Sequence, residues 1–75
     1  MVGIESKHER FRRLAESRGE RLRREIRLIG NLSNTKNYEY TANDVEKLFT
    51  PIEDEICEAK EQFERNVLKM KEQND

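Results

Sequence analysis

The chain has 75 residues, of which 41% are charged and 33% are apolar, and its formal net charge at neutral pH is −1. Ordinary globular domains are about 45–50% apolar and about 25% charged, so a chain this short forms only a small core and needs a further source of stability. Cys57 is the only cysteine and His8 the only histidine, so an intramolecular disulfide is excluded and a metal site would have few ligands. We therefore expect association with a second chain to supply the missing stability.

The first predicted element is an amphipathic helix over about residues 4–29. We expect it to end at Gly30, the residue type that favours a left-handed C-terminal turn. Gly19 lies in mid-helix, where it either weakens the helix or allows a neighbour to pack closely. At 100° per residue the apolar residues fall within about 60° of Phe11 on one face; they are Ile4, Phe11, Leu14, Ala15, Leu22, Ile26 and Ile29.

The second predicted element is a helix over about residues 42–72, after a connection at residues 30–40 that is rich in turn-forming asparagine. Thr41, followed by Asp44, is a typical N-terminal cap. Pro51 interrupts the pattern, but the apolar stripe keeps its phase, so we favour one helix kinked at Pro51 over a helix split there. That stripe consists of Val45, Phe49, Ile52, Ile56, Ala59, Phe63, Val67 and Met70.

Two amphipathic helices joined by a short connection predict an all-α fold, a helical hairpin that forms a single domain over residues 1–75. A hairpin leaves the flanks of both stripes exposed, so we expect two hairpins to pair as a four-helix bundle, which makes the protein a homodimer. No apolar segment is long enough to span a membrane. The first ten residues lack the apolar segment of a secretory signal, and a lone cysteine suits a reducing compartment, so we expect a soluble cytoplasmic protein.

The segment RFRRLAESRGERLRREIR, residues 10–27, contains eight arginines. The net charge is +4 over residues 1–40 and −5 over residues 41–75, so the simplest interpretation is a basic helix beside an acidic one. In that interpretation Glu9–Arg13 and Glu20–Arg24 are ion pairs at the four-residue spacing that supports a helix. The alternative is a face that contacts phosphates, formed by Arg12, Arg13, Arg23, Arg24 and Arg27.

Three further residues are candidates for binding a partner. Arg18 lies about 20° from the centre of the apolar face of the first helix. Its guanidinium is expected to reach an acidic residue of the second helix or of a dimer partner, or to bind a carboxylate or phosphate of another molecule. Tyr38 and Tyr40 either close the end of the bundle or anchor a partner.

The sequence gives little support for catalysis or for a cofactor. Glu53, Asp54 and Glu55 are consecutive, so on a helix they point about 100° apart and cannot converge on a metal ion. Cys57 lies off the apolar stripe, so we expect it to be inert, with an intermolecular disulfide as the alternative. No nucleophile with an adjacent base and no glycine-rich phosphate loop is present in the sequence, so we expect no enzymatic activity and no cofactor.

The segment HERFRRLAESRGERLRREIRLIGNLSNTKNYEYTANDVEKLF, residues 8–49, resembles short proteins of Gram-positive bacterial mobile elements, plasmids and prophages, above all at LIGNLSNTKNYEYT. The resemblance implies a bacterial cytoplasm and a mobile-element setting, and it assigns no functional residue. Small non-enzymatic proteins in that setting tend to be transcriptional or replication accessories or inhibitors of host defence. The leading hypothesis is an interaction protein that acts by protein–protein contact, for example by inhibiting host nucleic-acid machinery. The alternative is a nucleic-acid-binding accessory protein that uses the arginine-rich helix.

Overall fold

A computed structural model describes residues 3–73 of the chain. It consists of two α-helices, α1 (Lys7–Asn31) and α2 (Ala42–Gln73), and the described residues contain no strand. The chain divides into two compact units, one ending at Glu39 and the other beginning at Tyr40. Each unit contains one helix, and the predicted all-α class with two helices is confirmed.

The N-terminus of α1 is formed by a capping box. The Ser6 hydroxyl accepts a hydrogen bond from the backbone N–H of Glu9 at 3.0 Å, and the Glu9 carboxylate accepts one from the backbone N–H of Ser6 at 3.0 Å. Two backbone donors that a helix end leaves unpaired are thereby satisfied. The predicted start at residue 4 is therefore wrong by three residues, because the capping motif rather than the first apolar residue determines where α1 begins. Ile4, which precedes the cap, is 96% exposed.

The C-terminus of α1 also differs from the prediction. The helix continues through Gly30 to Asn31, and its cap residue Leu32 is right-handed, with φ −70° and ψ −9°. None of the glycines among the described residues has a positive φ, so the expected left-handed turn at Gly30 is wrong. Hydrogen bonds across three residues close this end instead, from Leu32 N–H to Ile29 O at 3.0 Å and from Ser33 N–H to Gly30 O at 3.1 Å. These bonds satisfy terminal carbonyls without a left-handed residue.

The connection between the helices comprises residues 32–41 and is organised around Asn34. The Asn34 side-chain oxygen accepts a hydrogen bond from the Lys36 N–H at 3.0 Å. The Asn34 backbone carbonyl accepts from Asn37 at 3.2 Å and from Tyr38 at 3.0 Å. An asparagine side chain that bonds to the backbone two residues on is the reason this residue type favours turns, so the predicted turn is confirmed, although it begins two residues later than expected.

The helix α2 begins at the predicted cap and is continuous. The backbone N–H of Asp44 donates to the Thr41 hydroxyl at 3.1 Å, and the Thr41 N–H donates to the Asp44 carboxylate at 2.9 Å. Pro51 lies inside the helix, so the single helix is confirmed and a split there is wrong. Pro51 has no N–H to donate to the carbonyl of Lys47, which is the reason for expecting a kink at this point. The kink itself stays a prediction.

Both helices present their apolar faces to the surface. None of residues 3–72 is buried, and most of the apolar positions on each helix are at least one-third exposed. Leu14 and Ile29 on α1 and Ile52 on α2 are the less exposed members of the two faces. No helix in the described part of the chain is long and apolar enough to cross a membrane.

Candidate interaction surfaces

The apolar face of α1, here called the α1 stripe, is the first candidate surface. The regular helix over Lys7–Asn31 places these residues on one side at the spacing expected for a contact with another helix. Phe11 and Leu22, its largest central residues, are 51% and 50% exposed. The surface is therefore open to a partner. The α1 stripe comprises Phe11, Leu14, Ala15, Leu22, Ile26 and Ile29.

Two opposite charges lie within the α1 stripe. Arg18 lies about 20° from the direction of Phe11, and Glu25 about 40° on the same side. Both side chains are exposed, and within residues 3–72 neither forms an ion pair or a side-chain hydrogen bond. The acidic partner expected for Arg18, on the second helix or on a dimer partner, therefore stays a prediction. The sequence interpretation missed Glu25, although its seven-residue spacing from Arg18 was the signal that could have identified it.

Among the arginines proposed to contact phosphates, Arg13 is already paired. Its Nε donates to Glu5 Oε2 at 2.8 Å and its Nη2 to Glu5 Oε1 at 3.0 Å, and Arg10 Nε lies 3.9 Å from the same carboxylate. The hydrogen bond from Arg13, followed by its charge, lowers the pKa of Glu5, and the same contact raises the pKa of Arg13. The predicted Glu9–Arg13 pair is wrong, because the Glu9 carboxylate binds the N–H of Ser6.

Three other arginines of that set, Arg23, Arg24 and Arg27, share their surface with acidic residues. Arg24 pairs with Glu20 at 3.7 Å, as predicted. Arg23 and Arg27 line a shallow, open depression on α1 together with Glu16, Glu20, Ala15 and Gly19, so the carboxylates there equal the guanidinium groups in number. The last turn of α1 contains no basic residue, so no arginine lies at the negative end of the helix dipole.

Gly19 lies at the edge of this depression and in the interior of α1. A β-carbon added there would have nothing within 4 Å, so packing within the described chain does not require a glycine. Of the two explanations given for Gly19, only weakening of the helix applies within a single chain. Close packing would need a neighbour from another molecule.

The apolar face of α2, here called the α2 stripe, is the second candidate surface. Unlike the α1 stripe, it contains no charged residue. The helix as a whole is acidic, with nine acidic and five basic residues over Ala42–Gln73. An apolar face with acidic flanks suits a partner helix with basic flanks. The α2 stripe comprises Val45, Phe49, Ile52, Ile56, Ala59, Phe63, Val67 and Met70.

Cys57 lies on α2 away from the α2 stripe and is exposed. Its Sγ donates to Glu61 Oε1 at 3.5 Å. This hydrogen bond, followed by the negative charges of Glu61, Asp54 and Glu64, raises the pKa of the thiol. Because the thiolate is the nucleophilic form, this environment disfavours reactivity.

The two tyrosines lie in the connection before α2. Tyr38 is 48% and Tyr40 is 40% exposed, so both rings present surface that a partner can contact. Glu53, Asp54 and Glu55 follow Pro51 on α2, and no group of potential ligands within residues 3–72 is arranged to hold a metal ion.

Comparison with known proteins does not assign this chain to a family. No protein-family model, no curated protein and no solved structure matches this chain. A functional interpretation therefore depends on the two stripes and on the charges around them.

Proposed function

We propose that this protein is a non-enzymatic interaction protein that acts by protein–protein contact, first with a second copy of itself and then with another protein. The observation that carries the proposal is the exposure of the α1 and α2 stripes, with no buried residue among residues 3–72. Burying a leucine-sized side chain is worth about 1.5–3 kcal/mol relative to leaving it exposed. Two stripes of this length therefore favour an assembly that covers them.

The architecture that we propose is a hairpin paired with a second hairpin as a four-helix bundle, with the helices of each hairpin antiparallel. The spacing of the apolar residues supports this arrangement. If Leu22 is set opposite Ile52, then Ile29 falls opposite Val45, and Phe11 falls opposite Phe63. The basic flank of α1 and the acidic flank of α2 are complementary in such a pairing.

The setting that we propose for this protein is the cytoplasm of a bacterium that harbours a mobile element. The support is the resemblance of residues 8–49 to short plasmid and prophage proteins. In that setting the second partner is a host or element protein, and inhibition of a host nucleic-acid enzyme is one concrete activity. The exposed Tyr38 and Tyr40 are the residues that we assign to this second contact, because exposed aromatic residues are frequent anchors at interfaces.

Sedimentation equilibrium over a range of concentrations, with helicity measured by circular dichroism, tests self-association. We expect a species of twice the 9.0 kDa chain mass and a helix content that rises with concentration. Leu22→Ala should weaken association, because it truncates the α1 stripe, whereas the matched Arg23→Ala on the opposite side should not. A well-folded monomer at micromolar concentration would contradict the proposal.

A second candidate function is that of a nucleic-acid-binding accessory protein. The observation that favours it is the charge of α1, which carries nine basic and four acidic residues over Lys7–Asn31. Arg12, Arg23 and Arg27 are exposed and form no ion pair with another described residue. A dimer would double this set of cations.

Binding to mixed duplex DNA and to structured RNA at about 50 and 200 mM salt distinguishes the two functions. A nucleic-acid function predicts tight binding that falls steeply with salt, with a slope of about −0.9 per phosphate neutralised on duplex DNA. Replacing Arg23, Arg24 and Arg27 together by glutamine should abolish it without unfolding the helices. If no binding is found at the lower salt concentration, the arginines serve intramolecular ion pairs and contacts with proteins instead.

A further inference from the structure

We propose that the α1 stripe binds α1 of a second copy in the antiparallel direction, with Arg18 of each copy paired to Glu25 of the other. This inference rests on the proposed self-association and specifies which helices meet and in which direction. It is carried by the two opposite charges on one otherwise apolar face. Neither charge has an ionic partner among residues 3–72.

The geometry of α1 prevents Arg18 and Glu25 from satisfying each other. They are seven residues apart, which is about 10.5 Å along the axis at 1.5 Å per residue. Ion pairs within a regular helix form at spacings of three or four residues. Covering the α1 stripe without a partner for either charge would bury an unpaired ion, which is strongly unfavourable. The surfaces that cover the stripe in the proposed bundle must therefore together present a carboxylate near Arg18 and a base near Glu25.

A second α1 meets this requirement only in the antiparallel direction. In that direction the order of the charges is reversed, so Arg18 of one copy meets Glu25 of the other, and the two-fold axis generates the same pair twice. In a parallel pair Arg18 would meet Arg18, and Glu25 would meet Glu25, which places like charges together on an apolar face.

The α2 stripe does not meet the requirement. It contains no charged residue, and where Leu22 is set opposite Ile52, Glu25 falls opposite Phe49. The positions that flank Phe49 on that face of α2 are occupied by Glu46, Leu48 and Glu53, none of which is a base. On α1 itself, Arg21 lies four residues before Glu25 but forms no ion pair with it in the described structure. The arginine of a second α1 supplies the complementary charge.

The register that aligns these charges also aligns the apolar residues. When Arg18 is level with Glu25 of the second copy, Leu14 is level with Ile29 of that copy, and Phe11 is level with Leu32. Leu22 lies next to the two-fold axis, where it meets Leu22 of the second copy. Leu14 and Phe11 of the stripe thus face apolar positions, whereas Ile26 is level with Ser17.

A charge-reversal series tests the pairing, with the dimer dissociation constant as the measurement. We expect Arg18→Glu alone and Glu25→Arg alone to weaken self-association by about 10- to 100-fold, because each variant places like charges together. The double variant R18E/E25R should return to within about threefold of the unchanged protein, because the pairs are restored with reversed polarity. An equimolar mixture of the two single variants should associate as a heterodimer, which shows that each single variant is still able to fold.

The direction is tested by a spin label at Arg12→Cys in a Cys57→Ser background. In the antiparallel register the two labelled positions are offset by about 28 Å along the helix axis, whereas in a parallel pair they are level and about 10 Å apart.

The outcomes separate this inference from the proposed function. Three results would overturn the Arg18–Glu25 pairing but not self-association. They are a dimer affinity that both single reversals leave unchanged, an affinity that neither the double variant nor the mixture restores, and the short distance between the spin labels. A folded monomer of the unchanged protein overturns self-association itself.

Discussion

The guanidinium of Arg13 binds the carboxylate of Glu5 through two hydrogen bonds, of 2.8 and 3.0 Å, although the residues are eight positions apart. Glu5 precedes the cap residue Ser6, whereas Arg13 lies well inside α1. The contact therefore fastens the segment before the helix to the helix itself. A bidentate arginine–carboxylate contact fixes the orientation of the two groups as well as the distance between them.

We expect the Glu5 carboxyl to titrate below its ordinary range and to return to that range in Arg13→Gln, because the hydrogen bond from Arg13 is the main cause of the lowered pKa. The pair stabilises the folded segment above the unfolded pKa, which is about 4.3, and this stabilisation is lost as the pH falls through the folded pKa. Carbon-detected NMR titration of Glu5 measures this directly. Arg12→Gln is the matched control, and an equal effect of the two variants would contradict the assignment.

The capping box of α1 gives a second prediction. Ser6→Ala removes the hydroxyl that accepts the Glu9 N–H, and losing such a cap costs about 0.5–2 kcal/mol of helix stability. Thermal unfolding followed by circular dichroism measures it, with Thr41→Ala as the corresponding change at α2. The backbone N–H of Ser6, which remains in the variant, is the largest cause of the lowered pKa of Glu9. Glu9 should therefore keep part of its lowered pKa in Ser6→Ala, and a complete return to the ordinary range would show that the hydroxyl was the main cause.

The sequence predicted the fold class and the helix α2 because local signals agreed there. Thr41 and Asp44 form a cap immediately before an apolar pattern that keeps its phase past Pro51. At α1 the signals conflicted. Ile4 matched the apolar spacing, while Ser6 and Glu9 formed the actual cap, and a capping interaction determines a helix end more directly than one exposed apolar residue. At the other end, hydrogen bonds across three residues replaced the left-handed turn that Gly30 suggested.

The candidate surfaces were predictable in part. Apolar spacing identified both stripes, and the angular position of Arg18 singled it out. Glu25 was not predicted, because a single acidic residue among apolar positions does not by itself identify a binding surface. The partner of Arg18 could not be predicted from the spacing of residues along α1, because that spacing does not specify which surface covers the helix. The ion pair of Arg13 could not be predicted, because its partner Glu5 lies outside the helix and beyond the four-residue spacing.

A third prediction concerns the thiol of Cys57. Its raised pKa implies slow alkylation at neutral pH, because little thiolate is present. Glu61→Gln removes the main cause and should speed the reaction with iodoacetamide by a factor of a few. Glu46→Gln, about three turns away from Cys57 on the same helix, is the control for the loss of one negative charge. Equal rates in all three proteins would contradict the role of the contact between Cys57 and Glu61.

The last prediction compares two glycines of the same helix. A β-carbon at Gly19 or Gly30 would have nothing within 4 Å, and neither glycine has a positive φ. Alanine at either position should therefore stabilise α1 by up to about 1 kcal/mol, with a smaller effect at Gly30 because it lies in the last turn.

The helix content of each variant, measured by circular dichroism at a concentration where the protein is monomeric, shows that gain. The dissociation constant of the dimer then shows whether another chain approaches Gly19. If one does, Gly19→Ala weakens association while Gly30→Ala does not, because the added methyl group occupies the space that the other backbone needs. If both variants stabilise the helix and leave association unchanged, Gly19 only weakens α1. Loss of helicity in monomeric Gly19→Ala would contradict the open space around this residue.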